Sequence, residues 1–211
     1  DSTVHGDRFH ITDINPYYEG LEGFAIQQTE NGIHSNFSWY YYNAASGKIY
    51  FKSNLKDDVG RGIVVNIDPR YKGYEFWAND GVYNAYGVKI SEKIPPVNLR
   101  IWWDEDILDE ILDKTSIFKW DYNNNNKYLE IYKFDGVIST LRNVPPFYGD
   151  ILGDWREEVI YETQDHKNLR IFISPIPSKI KMINPLNNRA YRLCYTVHGY
   201  YQSNLMDIFP E

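Results

Sequence analysis

Cysteine is nearly missing from this sequence of 211 residues, which contains Cys194 and no second cysteine. An internal disulfide framework is therefore excluded. Long apolar runs are missing as well, since no segment approaches the roughly 18 residues that a membrane-spanning helix requires. Basic residues are in deficit, with 22 Lys and Arg against 29 Asp and Glu and a net charge of −7. We therefore expect no nucleic-acid partner, which would need a basic surface, and no membrane partner.

Aromatic residues, in contrast, are abundant, with 19 Tyr, 10 Phe and 6 Trp. Tyr and Trp combine a flat apolar ring with a polar group, which suits a groove that binds sugars. The same residues are common on ordinary β-sheets. The composition favours a β-rich protein and leaves the role of the aromatic residues open.

Ten short segments rich in aromatic and β-branched residues, separated by Gly, Pro, Asn and Asp, predict β-strands. They are residues 23–28, 48–52, 62–67, 74–78, 99–103, 116–120, 128–134, 158–163, 169–174 and 191–197. Residues 106–114 predict one short helix, because Ile107, Leu108, Ile111 and Leu112 recur at helical spacing behind acidic residues that suit a helix N-terminus. The predicted class is all-β with one short inserted helix.

Three stretches share one plan, with an acidic or Asn opening, a bend, a late Glu and an apolar strand. They are TDINPYYEGLEGFAI (12–26), VNIDPRYKGYEFWA (65–78) and YGDILGDWREEVIY (148–161). Repeats that hold several strands each are typical of β-propeller blades. Three units cannot close a ring, because a propeller needs at least four blades. Either a further repeat is present that the pattern does not show, or the chain is part of a larger propeller.

The openings of these repeats have the composition of calcium loops. Calcium takes six to eight oxygen ligands and tolerates irregular loops, so an acid or amide pair followed by a carboxylate can surround it. The alternative is a set of solvated turns held by Asp and Asn side chains. The predicted ligand sets are Asp13, Asn15 and Glu22, then Asn66, Asp68 and Glu75, then Asp150, Asp154 and Glu158.

The segment HGDRFH near the start is a different kind of candidate site. His5 and Asp7 stand two positions apart, so in an extended segment their side chains project to the same side and could bind one ion. Taken alone, a pair of this kind more often has a structural role. Mixed His and carboxylate ligation is unusual for calcium, so the spacing does not name the metal.

Four segments resemble the rhamnogalacturonan lyases of polysaccharide lyase family 11: HGDRFHITDINPYYEGLE, DVGRGIVVNIDPRYKGYEFWA, IWWDEDILDEILDKT and DILGDWREEVIY. The resemblance implies an eight-bladed β-propeller with structural calcium ions, of which residues 1–211 form about the last three blades with no separate second domain. It also implies a secreted enzyme that cleaves rhamnogalacturonan I, a pectic polysaccharide, by β-elimination. The remaining N-terminal blades would be a further partner.

The resemblance carries over to individual residues. His5 and Asp7 match ligands of an active-site calcium, and Gln28 stands where the family has a third ligand, a Glu. Arg61 matches an arginine of the catalytic cleft. Tyr200 matches a tyrosine near the bond that is cleaved.

One stretch departs from the family pattern. Ser139, Thr140 and Leu141 align with substrate-binding positions, and Arg142 replaces a catalytic lysine. Arginine keeps the charge but is a poor general base, because guanidinium stays protonated. These differences leave two hypotheses: a calcium-dependent lyase, or an inactive propeller unit that binds calcium and pectic polysaccharide.

Overall fold

A computed structural model describes residues 3–33 and 35–197 of the chain. The chain divides into two compact units, unit 1 (Asp1–Val97) and unit 2 (Asn98–Glu211). Within the described ranges, the structure consists of four antiparallel four-stranded sheets, one 3-10 turn and one α-helix. The all-β class is confirmed.

Unit 1 contains two sheets in which consecutive strands are neighbours. Tight turns between short strands explain this order, because antiparallel strands need only a short connection. Sheet I comprises β1 (Phe9–Thr12), β2 (Glu22–Ile26), β3 (Trp39–Asn43) and β4 (Ile49–Lys52), and sheet II comprises β5 (Ile63–Val65), β6 (Glu75–Trp77), β7 (Val82–Tyr83) and β8 (Lys89–Ser91).

Unit 2 contains the other two sheets and the helix. Sheet III comprises β9 (Leu99–Ile101), β10 (Glu110–Asp113), β11 (Ser116–Asp121) and β12 (Lys127–Lys133). Sheet IV comprises β13 (Val137–Ile138), β14 (Phe147–Gly149), β15 (Glu158–Thr163) and β16 (Leu169–Phe172), followed by a 3-10 turn (Pro185–Asn187) and α1 (Arg189–Val197). In sheet IV, β15 pairs with β13, β14 and β16.

Aromatic rings from both sheets form the core of unit 1. The Tyr41 ring stacks on that of Phe76 with centroids 5.2 Å apart, and Phe76 stacks on Tyr83 at 5.6 Å. Trp39 meets Phe76 edge to face at 5.5 Å. Such pairs contribute about 0.5–1.5 kcal/mol each beyond their buried area. Much of the aromatic content of this unit therefore fills the core.

The helix α1 is tied to sheet IV through one buried tyrosine. The Tyr191 hydroxyl donates to Glu157 Oε1 at 2.9 Å and accepts from the backbone N–H of Asp150 at 2.8 Å. Asn188 caps the helix, since its side chain accepts from the backbone N–H of Tyr191 at 3.0 Å. Within the described residues, no helix is long and apolar enough to cross a membrane.

Two predicted elements are wrong. Residues 106–114 form a loop followed by strand β10, and not a helix. Ile111 and Leu112 are both buried, because β10 lies inside sheet III with both faces covered, and a strand of this kind has the same continuous apolar run as a helical turn. Residues 191–197 form α1 in place of a strand, and Tyr191 and Tyr195 lie one helical turn apart.

The count of three repeats was too low by one, since the described residues contain four four-stranded sheets. Each described sheet has the size of a propeller blade, and there are four of them. The missed repeat is sheet III, whose opening loop contained the wrongly predicted helix. The closed ring and the single-domain organisation over residues 1–211 stay predictions.

Candidate functional site

The three predicted calcium loops share one hydrogen-bonded frame. In the first loop, Glu22 Oε2 accepts from the backbone N–H groups of Ile14 and Asn15, at 3.1 and 3.0 Å. Each late glutamate is the first residue of the strand that follows its loop, and its side chain reaches back across the loop. The same pair of bonds joins Ile67 N and Asp68 N to Glu75 Oε2, both at 3.0 Å, and Ile151 N and Leu152 N to Glu158 Oε2, at 2.8 and 3.0 Å.

Several buried oxygens in these loops face the loop without a hydrogen-bond donor. Among the described residues, Glu22 Oε1, Glu75 Oε1 and Asp150 Oδ2 are buried and have no hydrogen-bond partner. Burial raises the pKa of all three carboxyl groups, because the anion loses its hydration. A buried carboxylate in this state requires a positive charge or a proton. These carboxylate oxygens therefore fit a hard cation, because carboxylate oxygens are the ligands that calcium prefers.

The remaining side chains of the unit 1 loops are turn formers. Asn15 Oδ1 accepts from the backbone N–H of Tyr17 at 3.1 Å, which is an Asx turn. Both Asp68 oxygens are held by Arg70, with Nε 2.8 Å from Oδ1 and Nη2 2.6 Å from Oδ2. Asp13 and Asn66 are half-buried. Among the described residues, the loops therefore contain both the turns held by Asp and Asn side chains and the buried oxygens that a calcium site would use.

The third predicted loop, in unit 2, repeats these features. Asp150 Oδ1 accepts from the backbone N–H of Gly153 at 2.6 Å, and its Oδ2 is the unpartnered oxygen. Asp154 is exposed and pairs with the Arg156 guanidinium at 2.7 Å. Of the predicted set, Asp150 and Glu158 are the buried members.

A fourth loop has the same design, although the sequence did not show it as a repeat of the other three. In sheet III, Glu110 Oε2 accepts from the backbone N–H of Trp103 at 2.9 Å, and Asp104 Oδ1 accepts from that of Asp106 at 3.0 Å. Asp104, Asp106 and Glu110 each place one oxygen within 4.8 Å of the others, so they form an acidic group of the kind that can hold a metal. The signal was present as an acidic opening with a Glu six residues after Asp104, but the helical spacing obscured it.

The fourth loop differs from the other three because one positive charge contacts all three of its acids, including the glutamate. Lys119 Nζ bonds to Asp104 Oδ2, to Asp106 Oδ2 at 2.8 Å and to Glu110 Oε1 at 3.0 Å. Burial lowers the pKa of Lys119, but Glu110 and the hydrogen bonds to Asp104 and Asp106 outweigh it and raise the pKa above its ordinary value. The ammonium group therefore stays charged at neutral pH.

The predicted N-terminal site lies at the edge of sheet I. His5 Nε2 is 3.1 Å from Asp7 Oδ1, and His5 Nδ1 is 3.6 Å from Glu30 Oε2. The two carboxylates thus lie on opposite ring nitrogens of an exposed imidazole. The backbone N–H of Gln28 donates to the carbonyl of His5 at 2.8 Å, which holds the segments together. Glu30 was not foreseen from the sequence.

Arg61 belongs to the same region of unit 1. A Cβ atom placed on Gly60 would lie 3.5 Å from Gln28 Nε2. Arg61 is the next residue in the sequence. The structure therefore brings His5, Asp7, Gln28 and the backbone of Arg61 into one neighbourhood. A pocket of about 230 Å³ adjoins it, lined by Thr3, Val4, His5, Glu30, Asn31 and Ile33.

The predicted substrate-binding stretch is a turn between β13 and β14. Thr140 N donates to the carbonyl of Val144 at 2.9 Å, and its Oγ1 accepts from the backbone N–H of Arg142 at 3.4 Å. Leu141 is fully exposed, and Ser139 is half-buried. Tyr200 lies outside the described residues.

Comparison with known proteins identifies relatives over nearly the whole chain. The model of "Rhamnogalacturonan lyase family 11, C-terminal domain" matches residues 1–209. Rhamnogalacturonan endolyase YesW of Bacillus subtilis (strain 168) is 39% identical over 191 residues, which cover 90% of this chain and 30% of the relative. Rhamnogalacturonan exolyase YesX of the same organism is 32% identical over 209 residues, which cover 90% of this chain and 34% of the relative.

Solved structures show the same similarity. The crystal structure of rhamnogalacturonan lyase YesW matches with a TM-score of 0.89 at 37% identity, over 97% of this chain and 35% of that chain. A rhamnogalacturonan lyase of Bacillus licheniformis matches with a TM-score of 0.88 at 36% identity, again over 97% and 35%. The chain therefore spans about a third of the length of these relatives.

Proposed function

The chain belongs to rhamnogalacturonan lyase family 11, and on that premise we propose that it is the C-terminal part of a secreted, calcium-dependent lyase. The substrate is rhamnogalacturonan I, which is cleaved by β-elimination next to galacturonate. The observation that carries the proposal is the contact of His5 with Asp7 beside Gln28 and Gly60, within a chain that matches the family over residues 1–209.

β-Elimination has three requirements at the galacturonate. The C6 carboxylate must be neutralised so that the C5 proton becomes acidic, a base must remove that proton, and the O4 leaving group must be stabilised. Arg61 can pair with the C6 carboxylate through two hydrogen bonds, which is the geometry that guanidinium favours. Calcium, when bound by His5, Asp7 and Gln28, supplies further positive charge for this carboxylate.

The base and the leaving group involve the other candidate residues. A guanidinium group is a poor general base, so Arg142 can stabilise developing negative charge but cannot remove the C5 proton. Tyr200 is the candidate base, since a phenolate formed beside positive charge can accept a proton. Ser139, Thr140 and Leu141 then contribute to binding of the sugar chain.

Three loops are proposed as structural calcium sites. Their donor sets are Asp13, Asn15 and Glu22, then Asn66, Asp68 and Glu75, then Asp150, Asp154 and Glu158. Buried oxygens without a hydrogen-bond partner support this proposal in each of the three loops. The fourth loop does not fit a metal in the same way, because Lys119 contacts all three of its acids.

Secretion and the partners follow from the substrate. A pectic polysaccharide is a cell-wall polymer outside the producing cell, so the enzyme that meets it must be exported. The remaining blades of the propeller are the second proposed partner. Detection of the protein in the medium of its native producer tests secretion.

The activity is tested by incubating the chain with rhamnogalacturonan I and calcium and following the ultraviolet absorbance of the unsaturated uronate. We expect absorbance to rise, and to stop rising in excess chelator. His5→Ala and Asp7→Ala should lower the rate at least about tenfold, as loss of a group that stabilises the transition state does. His166→Ala, an exposed histidine of unit 2, is the matched control.

Absence of product at high protein concentration, with polysaccharide binding retained by calorimetry, would show that the chain is the inactive binding unit. Absence of both would contradict the proposed substrate.

A further inference from the structure

Each of the four loops has a glutamate at the start of the next strand, and the residue paired with this glutamate on the neighbouring strand is not the same in all four sheets. In sheet I, Glu22 pairs across the strands with Asn43. In sheet III, continuing the register of Ile111 with Phe118 by one pair places Lys119 opposite Glu110. The same step places Asn84 opposite Glu75 in sheet II and Ile173 opposite Glu158 in sheet IV.

Only the residue in sheet III can supply a positive charge, so the four equivalent positions can be compared directly. Asn43 Oδ1 accepts from the backbone N–H of Ser46 at 2.8 Å, and Asn84 Oδ1 accepts from that of Tyr86 at 3.1 Å. Both asparagines therefore serve turns. Lys119 points into its loop and contacts Asp104, Asp106 and Glu110 at once, as an oxygen-binding cation would.

We propose that the Lys119 ammonium group takes the place of a divalent cation in the fourth loop. The loop over residues 104–110 is therefore independent of metal, and loss of the ammonium converts it into a divalent cation site. The chemistry supports the exchange, because ammonium and calcium are both satisfied by carboxylate oxygens at hydrogen-bonding or coordination distance. Glu110 is fully buried and already anchored through Trp103, so its second oxygen needs a positive charge in either case.

The proposal rests on the calcium sites proposed above and concerns a fourth loop that needs no calcium. Its test uses the full chain and follows hydrogen exchange of the peptides that cover residues 66–75 and 104–113, with calcium and in excess chelator. In the wild type, calcium should slow exchange in residues 66–75 and leave residues 104–113 unchanged. Slower exchange of residues 104–113 in the wild type on addition of calcium would overturn the proposal.

A substitution provides the second arm of the test. Lys119→Ser opens the space among the three acids, so residues 104–113 should exchange faster in chelator and should slow about tenfold when calcium is added. Lys119→Gln removes the charge, shortens the side chain less than serine does, and serves if the serine variant folds poorly. Lys119→Arg keeps the charge and should show no response to calcium, and neither should Lys127→Ser, which removes an exposed lysine of the same sheet.

If the serine and glutamine variants show no more calcium response than the wild type, Lys119 does not hold a cation position. This outcome differs from failure of the proposed calcium loops, in which residues 66–75 would not respond. A response of residues 104–113 in the serine variant would support the role of Lys119 even then.

Discussion

The loops of residues 13–22 and 104–110 have the same backbone frame and opposite electrostatics. In both, a strand-initial glutamate accepts backbone N–H bonds across the loop. In the first, Glu22 Oε1 is buried without a hydrogen-bond partner among the described residues, whereas in the second, Glu110 Oε1 meets Lys119. The frame is therefore set by the glutamate and the turn, and the counter-charge can change from one loop to another without altering the fold.

Removal of calcium should have the largest effect on stability, because it acts on the loops without Lys119 and leaves the loop of residues 104–110 unaffected. A ligand that binds the folded state at 100 times its Kd stabilises that state by about 2.7 kcal/mol. For a chain of this size, each filled loop should therefore account for about 5–10 °C of the melting temperature. Calorimetry with and without chelator measures the loss, and restoring excess calcium is the control. An unchanged melting curve would show that the loops are plain turns.

Loss of the glutamate itself should have the next largest effect. Glu75→Ala leaves the buried backbone N–H groups of Ile67 and Asp68 without an acceptor, which costs about 2–5 kcal/mol of unfolding free energy. Glu75→Gln keeps an acceptor oxygen, so it should cost less in chelator but should abolish stabilisation by calcium at this loop. Urea unfolding with and without calcium separates the effects. Equal losses for both variants would mean that the frame depends on charge and not on hydrogen bonding.

The buried base His10 has a lowered pKa, in contrast to the raised pKa of Lys119. Burial and the nearby Arg8 lower the pKa of His10 to about 3, from an ordinary value of 6.5, and its Nε2 donates to the Gly62 carbonyl at 3.2 Å. The unfolded state therefore takes up the proton first. The contribution of neutral His10 to the unfolding free energy is fully present above about pH 6.5. It should fall by about 1.4 kcal/mol for each pH unit below that value, down to the pKa of His10 in the folded state.

The slope of the unfolding free energy between pH 6.5 and 5 checks this prediction. His10→Asn should flatten the slope. A slope unaffected by the substitution of His10 would assign the pH dependence to other groups.

The smallest effect concerns the arginine in the second loop. Arg70 holds both Asp68 oxygens and would compete with calcium for them. Because its side chain is partly exposed, the competition is worth about 1 kcal/mol, so Arg70→Gln should raise the calcium affinity of this loop about fivefold. Isothermal titration measures the change, and Lys72→Gln, which removes the same charge from the same loop, is the control. An equal gain in both variants would indicate general repulsion.

The sequence was informative where the signal is local. Nine of the ten predicted strands are present, because their aromatic and β-branched runs lie between turn residues. The late glutamates Glu22, Glu75 and Glu158 were found because each follows its loop within a few residues. The helix at residues 191–197 was missed because its aromatic and β-branched residues also suit a strand, and because the buried Tyr191 is held by a bond to Glu157, 34 residues away.

The electrostatics of the site could not be predicted from spacing. Lys119 reaches Glu110 through the register of a hairpin, and Glu30 reaches His5 through a separate loop. Neither contact follows from a residue pattern, because each depends on which atoms the folded backbone brings together. The calcium ligands and the catalytic residues therefore stay predictions that the experiments above decide.

In three of the four sheets, neighbouring strands are also consecutive in the sequence, and this order has a consequence for folding kinetics. Chains whose contacts are mainly local fold faster than chains that must first close long loops. Each of these sheets can begin to form as soon as its own hairpins have been synthesised. The bond of Tyr191 to Glu157 spans 34 residues and requires sheet IV to be in place, so we expect the docking of α1 to be a late step.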